Sequence, residues 1–453
     1  MSRGPALGWR KVVAPILLVA GVSSLLLGVV NLGRHRRIAG SQILRGTPTA
    51  PTMSAQIPSE RDRVAVATEP ILPPRPTIAS SPTLPLTDAS STPIQPSPLS
   101  TRLLASAIPS PISATGLATS SPSAGFSSPL AAPALPTTTP WPPAQTSGDL
   151  YALRQRLGVG SSLVPVTKDI ADRLGFGWYL DWRLTPDGFR APGLEYVPTI
   201  RLKEGQPIPD RQRLLAAVEA LPGALWLIGN EPDVKWQDNI SPDVYARVYH
   251  DLYTLLKGLD PSCQVAIGGM SQPTPLRIRY LDLILDAYQM RYGEPMPVDV
   301  WNVHAFILRE ERDNWGVDIP PGMADQRGRL YEIADHDNIT IFRQQIVDFR
   351  RWMKERGQQE KPLIVTEYGI LMPADYGFSP QRVEHFMLDT FEFFRTAADP
   401  SLGYAADGGR LVQRWCWYSL FSTRYPTGNL VVMDSGELTP QGEAFRMYSQ
   451  SSP

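Results

Sequence analysis

The 453-residue chain carries 43 basic and 44 acidic side chains, a formal net charge of -1, and so has no large field of either sign to draw in nucleic acid or a strongly acidic polymer. Its 46 prolines are spread unevenly, and only the second half has the composition of a packed domain. The two cysteines, Cys263 and Cys416, are too few for a disulfide framework and lack the close spacing of a zinc or thioredoxin-like site, so both are expected as buried free thiols.

Residues 1–11 form a short basic N-terminus. Residues 12–32 follow as an uncharged, mostly apolar run, flanked by Arg10-Lys11 and by Arg34-His35-Arg36-Arg37. At about 20 residues and 1.5 Å rise per residue, such a run can cross a bilayer. A cleavable leader usually has a shorter apolar stretch and a small-residue cleavage site, whereas a basic cluster follows here, so an uncleaved transmembrane helix is expected. Both flanks are basic, so charge does not set its orientation. Residues 33–148 are a Pro/Ser/Thr-rich linker with no sustained helical or strand period, a composition that cannot bury enough apolar surface to offset its ordering entropy. It reads as a disordered, semi-stiff stalk that holds the residues after it outside the cytoplasm at the cell membrane.

From Asp149 to the end, short apolar runs alternate with amphipathic helices. The runs are 157–160, 177–183, 196–202, 224–229, 264–269, 298–306, 362–366 and 412–420. Ser241-Pro242 and Ser379-Pro380 are helix-start signals, and Gly357 closes the helix that contains Phe342, Ile346, Phe349 and Met353. Eight strands alternating with helices close most simply into a (β/α)8 TIM barrel; a doubly wound parallel sheet is the alternative. A barrel places its chemistry at the C-terminal ends of its strands.

Two glutamates stand there. The fourth run ends in Gly229-Asn230-Glu231-Pro232-Asp233, and the seventh ends in Val365-Thr366-Glu367-Tyr368-Gly369. Glycosidic cleavage needs two carboxyl groups, one to protonate the departing oxygen and one to stabilise or attack the anomeric carbon. Each motif alone is weak, since an Asn-Glu-Pro turn can leave its glutamate merely solvated. The pairing of both at strand ends, three βα units apart, is the stronger signal.

Taken with Phe176-Gly-Trp-Tyr-Leu-Asp-Trp182 and Val303-His304, these motifs resemble glycoside hydrolase clan A, the retaining (β/α)8 enzymes, and within it most closely family 128, which includes β-1,3-glucanases. The resemblance spans nearly all of residues 149–453. It implies that Glu231 is the acid/base, that Glu367 is the nucleophile, and that Asn230 bonds the sugar 2-hydroxyl. It also implies Trp417 as the platform under the sugar, with Trp178 or Trp182 lining a neighbouring subsite. Many clan members have His-x-Tyr on strand six with the tyrosine hydroxyl near the nucleophile. This chain has His304-Ala305-Phe306, so either another group, such as Tyr368 or Tyr418, orients Glu367, or the activity is altered.

His304 ends its strand and is expected at the site, against the plain alternative of a satisfied core histidine. Trp236, Trp301, Trp315 and Trp415 are further aromatic candidates, of which half belong in a core. Trp415 and Trp417 share one face of their strand and Cys416 the other. Asp181 and Asp233 can bind hydroxyls, although lone acids near loops are more often solvated or salt-bridged. No zinc-protease, phosphate-loop or serine-hydrolase signature occurs in this domain, so no cofactor or metal is implied. The expectation is a membrane-tethered glycosidase with a polysaccharide or oligosaccharide substrate. A non-catalytic carbohydrate-binding protein on a degenerate barrel is the rival reading, and transglycosylation through the same covalent intermediate is a third.

Overall fold

The computed structural model describes residues 149–185 and 192–451. The expected membrane segment 12–32 and the linker 33–148 lie outside these residues. Among the described residues no helix is long and apolar enough to cross a membrane.

The described region is an α/β fold built on parallel strands. A six-stranded sheet runs in the order β3 (Glu195–Tyr196), β2 (Trp178–Leu180), β1 (Leu157–Gly160), β11 (Arg414–Trp417), β10 (Leu363–Tyr368), β9 (Trp301–His304). A three-stranded sheet runs β4 (Thr199–Ile200), β7 (Leu225–Ile228), β8 (Gln264–Ile267). The first strand therefore pairs with the last, Leu157 opposite Trp415 and Val159 opposite Trp417. The short segment 195–200 serves both sheets: β3 lies beside β2 and β4 beside β7, and Pro198 and Val197 between them keep backbone bonds to Leu227 and Tyr179. At the other seam, isolated parallel bridges join Ala266 to Val300 and Met270 to Val303. A small antiparallel ribbon, β5 (Leu202–Lys203) with β6 (Gln206–Pro207), begins on the last residue of the third expected run.

Alternation sorts the strand side chains into two populations. Trp178, Leu180, Leu227, Ala266, Ile364 and Cys416 pack together on one side of the strands. Their neighbours Trp226, Val265, Val365, Trp415 and Trp417 join the larger cluster against the helices. Cys416 and Cys263 are both buried free thiols.

The helices begin where their caps place them. α4 (Pro242–Leu259) and α7 (Pro380–Thr396) both have proline in the first turn, which is free of the helical N–H requirement. The Ser379 hydroxyl accepts from the Arg382 N–H, whereas the Ser241 hydroxyl donates instead to the Asp243 carboxylate at 2.6 Å. α6 (Ile339–Glu355) starts on Asn338, whose side chain accepts from the N–H groups of Thr340 and Ile341, and Gly357 follows its end at φ +66°. α5 (Pro275–Tyr292) packs beside α4.

Candidate active site

Two strand ends converge on one histidine. After β7 the chain turns through Gly229 and Asn230 to Glu231, which sits at φ +44°, a conformation rare for a side chain of its size. That turn is held from beneath by Asp238. Its carboxylate accepts from the N–H of Asn230 at 2.7 Å, the N–H of Leu202 at 3.1 Å and Nε of Arg201 at 2.7 Å. Burial pushes the Asp238 carboxyl above its ordinary range, and the Arg201 charge and these donors oppose that. The Glu231 N–H donates to the Gly269 carbonyl at 2.9 Å.

β10 runs through Glu367 to Tyr368, two residues beyond the expected end. Its pairing with β9 slips between Val365 and Glu367, so that Glu367 stands opposite His304. An irregularity of this kind re-aims a side chain beside a site. A Cβ at residue 269 would overlap the His304 ring, so Gly269 is what lets the imidazole lie flat against the strand end.

The resulting cluster is buried, with Glu231 5%, Glu367 6% and His304 0% exposed. His304 Nδ1 lies 3.0 Å from Glu231 Oε1 and Nε2 lies 3.4 Å from Glu367 Oε1, the second contact without hydrogen-bond alignment. One donor or acceptor atom from each of the three falls within 4.8 Å of the others. The Trp182 indole N–H donates to Glu367 Oε1. Burial raises the Glu367 carboxyl from 4.5 to about 7 against the pull of the His304 charge; Glu231 adds to the rise, while the Trp182 bond and Arg201 oppose it. Burial works the other way on His304, but the Glu367 charge and the Glu231 hydrogen bond together hold its imidazolium above the ordinary value. The same three residues are grouped as metal ligands would be. Each ring nitrogen already faces a carboxylate, so a cation bound by all three would cost the imidazole one of those contacts.

Of the residues expected at the site, the structure brings Glu231, Glu367, His304 and Trp182 together, with Asn230 adjoining. It does not bring Trp417, Tyr368 or Trp178. Trp417 is fully buried, donates its indole N–H to the Gly428 carbonyl at 2.8 Å and packs on Phe391 of α7. Tyr368 faces the same helix layer, against Phe342 and Phe394, and its hydroxyl meets Thr390 at 3.4 Å. Trp417 follows from strand parity, since its neighbour Cys416 faces inward, and Tyr368 follows from the slip after Val365, which turns Glu367 inward and its neighbour out. Trp178 does face inward but lies too low, donating to the Arg156 carbonyl with Arg414 over its ring. Asp233 and Asp181 are committed to protein partners, Asp233 to Arg277 and Ser271, Asp181 to Arg183 and the Tyr196 hydroxyl. Trp301 and Trp415 face the helices, and Lys235 lies over the ring of Trp236.

The aromatic that reaches the site from β11 is Tyr418, just past the strand. Its ring lies 5.6 Å from Trp182, 6.3 Å from Phe306 and 6.1 Å from Tyr425. Burial, then the Glu367 charge, raises its hydroxyl far above the ordinary phenol value. Arg201 and Gly269 fall at the ends of the third and fifth apolar runs and Tyr425 outside any run, and none of the three carries a motif that marks it for the site.

Crystal structures of family 128 enzymes overlap this chain at low identity. They include a subgroup II endo-beta-1,3-glucanase from Sorangium cellulosum, 18% identical, covering 64% of this chain and 97% of that chain with a TM-score of 0.43. A curdlan-specific exo-beta-1,3-glucanase from Blastomyces gilchristii, in complex with glucose, gives 18%, 64%, 97% and 0.42. A subgroup I endo-beta-1,3-glucanase from Amycolatopsis mediterranei, in complex with laminaritriose, gives 18%, 65%, 99% and 0.42. No curated protein matches the chain. Residues 163–313, which include Trp182, Glu231 and His304, match the family described as glycosyl hydrolase catalytic core. That match marks the chain as a glycoside hydrolase.

Proposed function

We propose that the chain is a membrane-anchored, retaining glycoside hydrolase that cleaves O-glycosidic bonds in a polysaccharide, with a β-1,3-glucan as the first candidate. The observation that carries this reading is the buried pair Glu231 and Glu367, with one oxygen of each within 4.8 Å of the other and of a His304 nitrogen. Inverting enzymes hold their carboxyl groups about 6.5–9.5 Å apart to admit a water, whereas retaining ones hold them at about 5–5.5 Å. The close pair supports the covalent route. In the first step Glu367 bonds to the anomeric carbon as the glycosidic bond breaks, and the departing oxygen takes a proton from Glu231. In the second, Glu231 takes a proton from water as the water oxygen displaces Glu367. A sugar hydroxyl in place of water would give transglycosylation. Asn230 is assigned to the substrate 2-hydroxyl on the family resemblance, which also puts β-1,3-glucans first.

The pairing of β1 with β11, and the sharing of 195–200 by two parallel sheets, support a (β/α)8 barrel over 149–453 in preference to a doubly wound sheet. Residues 12–32 are assigned as the anchor and 33–148 as the stalk. Membrane fractionation followed by protease added from outside should find the full chain in the membrane with its catalytic domain digested. A soluble product beginning near Arg45, or a protected domain, would overturn the anchor.

The activity itself is tested with the full chain on β-1,3-, β-1,4- and β-1,6-linked glucans, with NMR of the first anomer released. A retained anomer is expected. An inverted anomer would remove the covalent route, and binding without cleavage of any glycan would favour a carbohydrate-binding protein.

A further inference from the structure

Glu367 is held through one oxygen only. Oε1 takes the Trp182 indole N–H and faces His304 Nε2, while Oε2 has no partner among the described residues. We propose that Trp182 is a positioning residue for the nucleophile rather than a sugar platform, and that its hold on Oε1 assigns Oε2 as the atom that bonds to the anomeric carbon. The inference rests on the reading of Glu367 as the nucleophile.

Three features of the chain fix the indole in that role. Trp182 sits at φ +55°, which L residues rarely adopt. Its six-membered ring lies on Gly160 of β1, where a Cβ would overlap it, so no other residue at 160 leaves room for the ring. Tyr418 closes the other side at 5.6 Å. Phe306, edge-on to both His304 and Tyr418, offers no donor of its own. The ring is thereby wedged, and its N–H is the one polar atom it presents to the carboxylate.

An indole N–H donates and does not titrate or accept, so the bond favours the ionised carboxylate at every working pH. It therefore offsets part of the burial that raises Glu367. When Oε2 forms its bond to the anomeric carbon, the glycosidic electron pair leaves on the departing oxygen, Glu231 protonates that oxygen, and the carboxylate becomes a neutral ester. In the second step the ester oxygen leaves with its electron pair, and the restored charge is met by the waiting donor.

The test begins with the wild-type full chain and a 2-deoxy-2-fluoro glycoside. Label on the Glu367 peptide establishes the nucleophile; its absence there overturns the functional reading and this inference with it. With label in place, Trp182→Phe should lower kcat/KM on the order of tenfold to a hundredfold, the worth of a hydrogen bond to a charged group, and move its acidic limb to higher pH. Trp182→His, which keeps an N–H donor, should recover part of both. A rise in KM with kcat and the acidic limb unmoved would make Trp182 a subsite platform and overturn the proposal, as would an unchanged enzyme. If Trp182→Phe does not fold, the wild type still decides. An indole proton resonance in the tryptophan-labelled chain should move upfield when Glu367 is esterified by the inhibitor, and resonances that all stay in place would overturn the proposal.

Discussion

Glu367→Ala should lose activity on every substrate, whereas Glu231→Ala should keep the first step on substrates with good leaving groups and stall at the second. The difference follows from the two jobs. Glu367 supplies the bond to the anomeric carbon, which no leaving group can replace. Glu231 supplies only a proton, and an activated leaving group does without it. In Glu231→Ala the glycosyl-enzyme then waits for a nucleophile that needs no base. Azide should relieve that wait and yield a β-glycosyl azide from a β-glycoside, while any rescue of Glu367→Ala should give the opposite anomer. Losses of several orders of magnitude are expected in steady-state hydrolysis, each tenfold being about 1.4 kcal/mol of barrier. Azide products of the reverse pattern would exchange the roles. Burial places Glu367 at about 7 with the raised His304 imidazole 3.4 Å away, so these two titrate together and the kcat/KM limbs report the pair.

The parts of this site that could be read from the sequence are those marked by a change of local pattern. An apolar run that breaks into Asn230-Glu231-Pro232, or into Glu367 after Val365-Thr366, marks a strand end wherever the strand sits. The aromatic assignments failed for a different reason. Parity put Trp415 and Trp417 on one face and Cys416 on the other, but parity alone does not say which face is inward. At β10 parity alone misleads as well: the register slip between Val365 and Glu367 turns Glu367 to the site and Tyr368 to the helices, and no residue of the run announces the slip. Trp182 was assigned to the site for its ring, and the structure presents its N–H to Glu367. Of the supports beneath the site, Asp233 reads in the sequence as a solvated or salt-bridged acid, but no partner of any of them can be named there. Asp238 meets Arg201 across 37 positions and Arg277 meets Asp233 across 44, separations over which no helical or strand period operates.

Arg277 carries the largest expected effect on stability. It is fully buried near the start of α5 and bridges three loops at the strand ends. Nε donates to Asp233 at 2.6 Å and to the Ser271 hydroxyl at 2.7 Å, Nη1 to Glu310 at 2.6 Å, and Nη2 to the carbonyls of Val317 and Asp318. Burial alone would depress its charge, but Glu310 and Asp233 raise it instead. Asp233 follows Glu231 by two residues, so the guanidinium also anchors the turn that aims the acid/base. Arg277→Met keeps the stem but strands two buried carboxylates. Breaking such a pair from one side costs about 3–5 kcal/mol, which is roughly 10 °C of melting temperature for a domain of this size. The cost lies in the stranded charges rather than in lost packing. Adding Asp233→Asn and Glu310→Gln to Arg277→Met should therefore recover most of the melting temperature. Turnover should recover less, because the neutral set no longer draws the 231–233 turn toward α5. A single variant that melts like the wild type would show that water reaches the two carboxylates. A triple variant no better than the single one would place the cost in packing around the lost guanidinium.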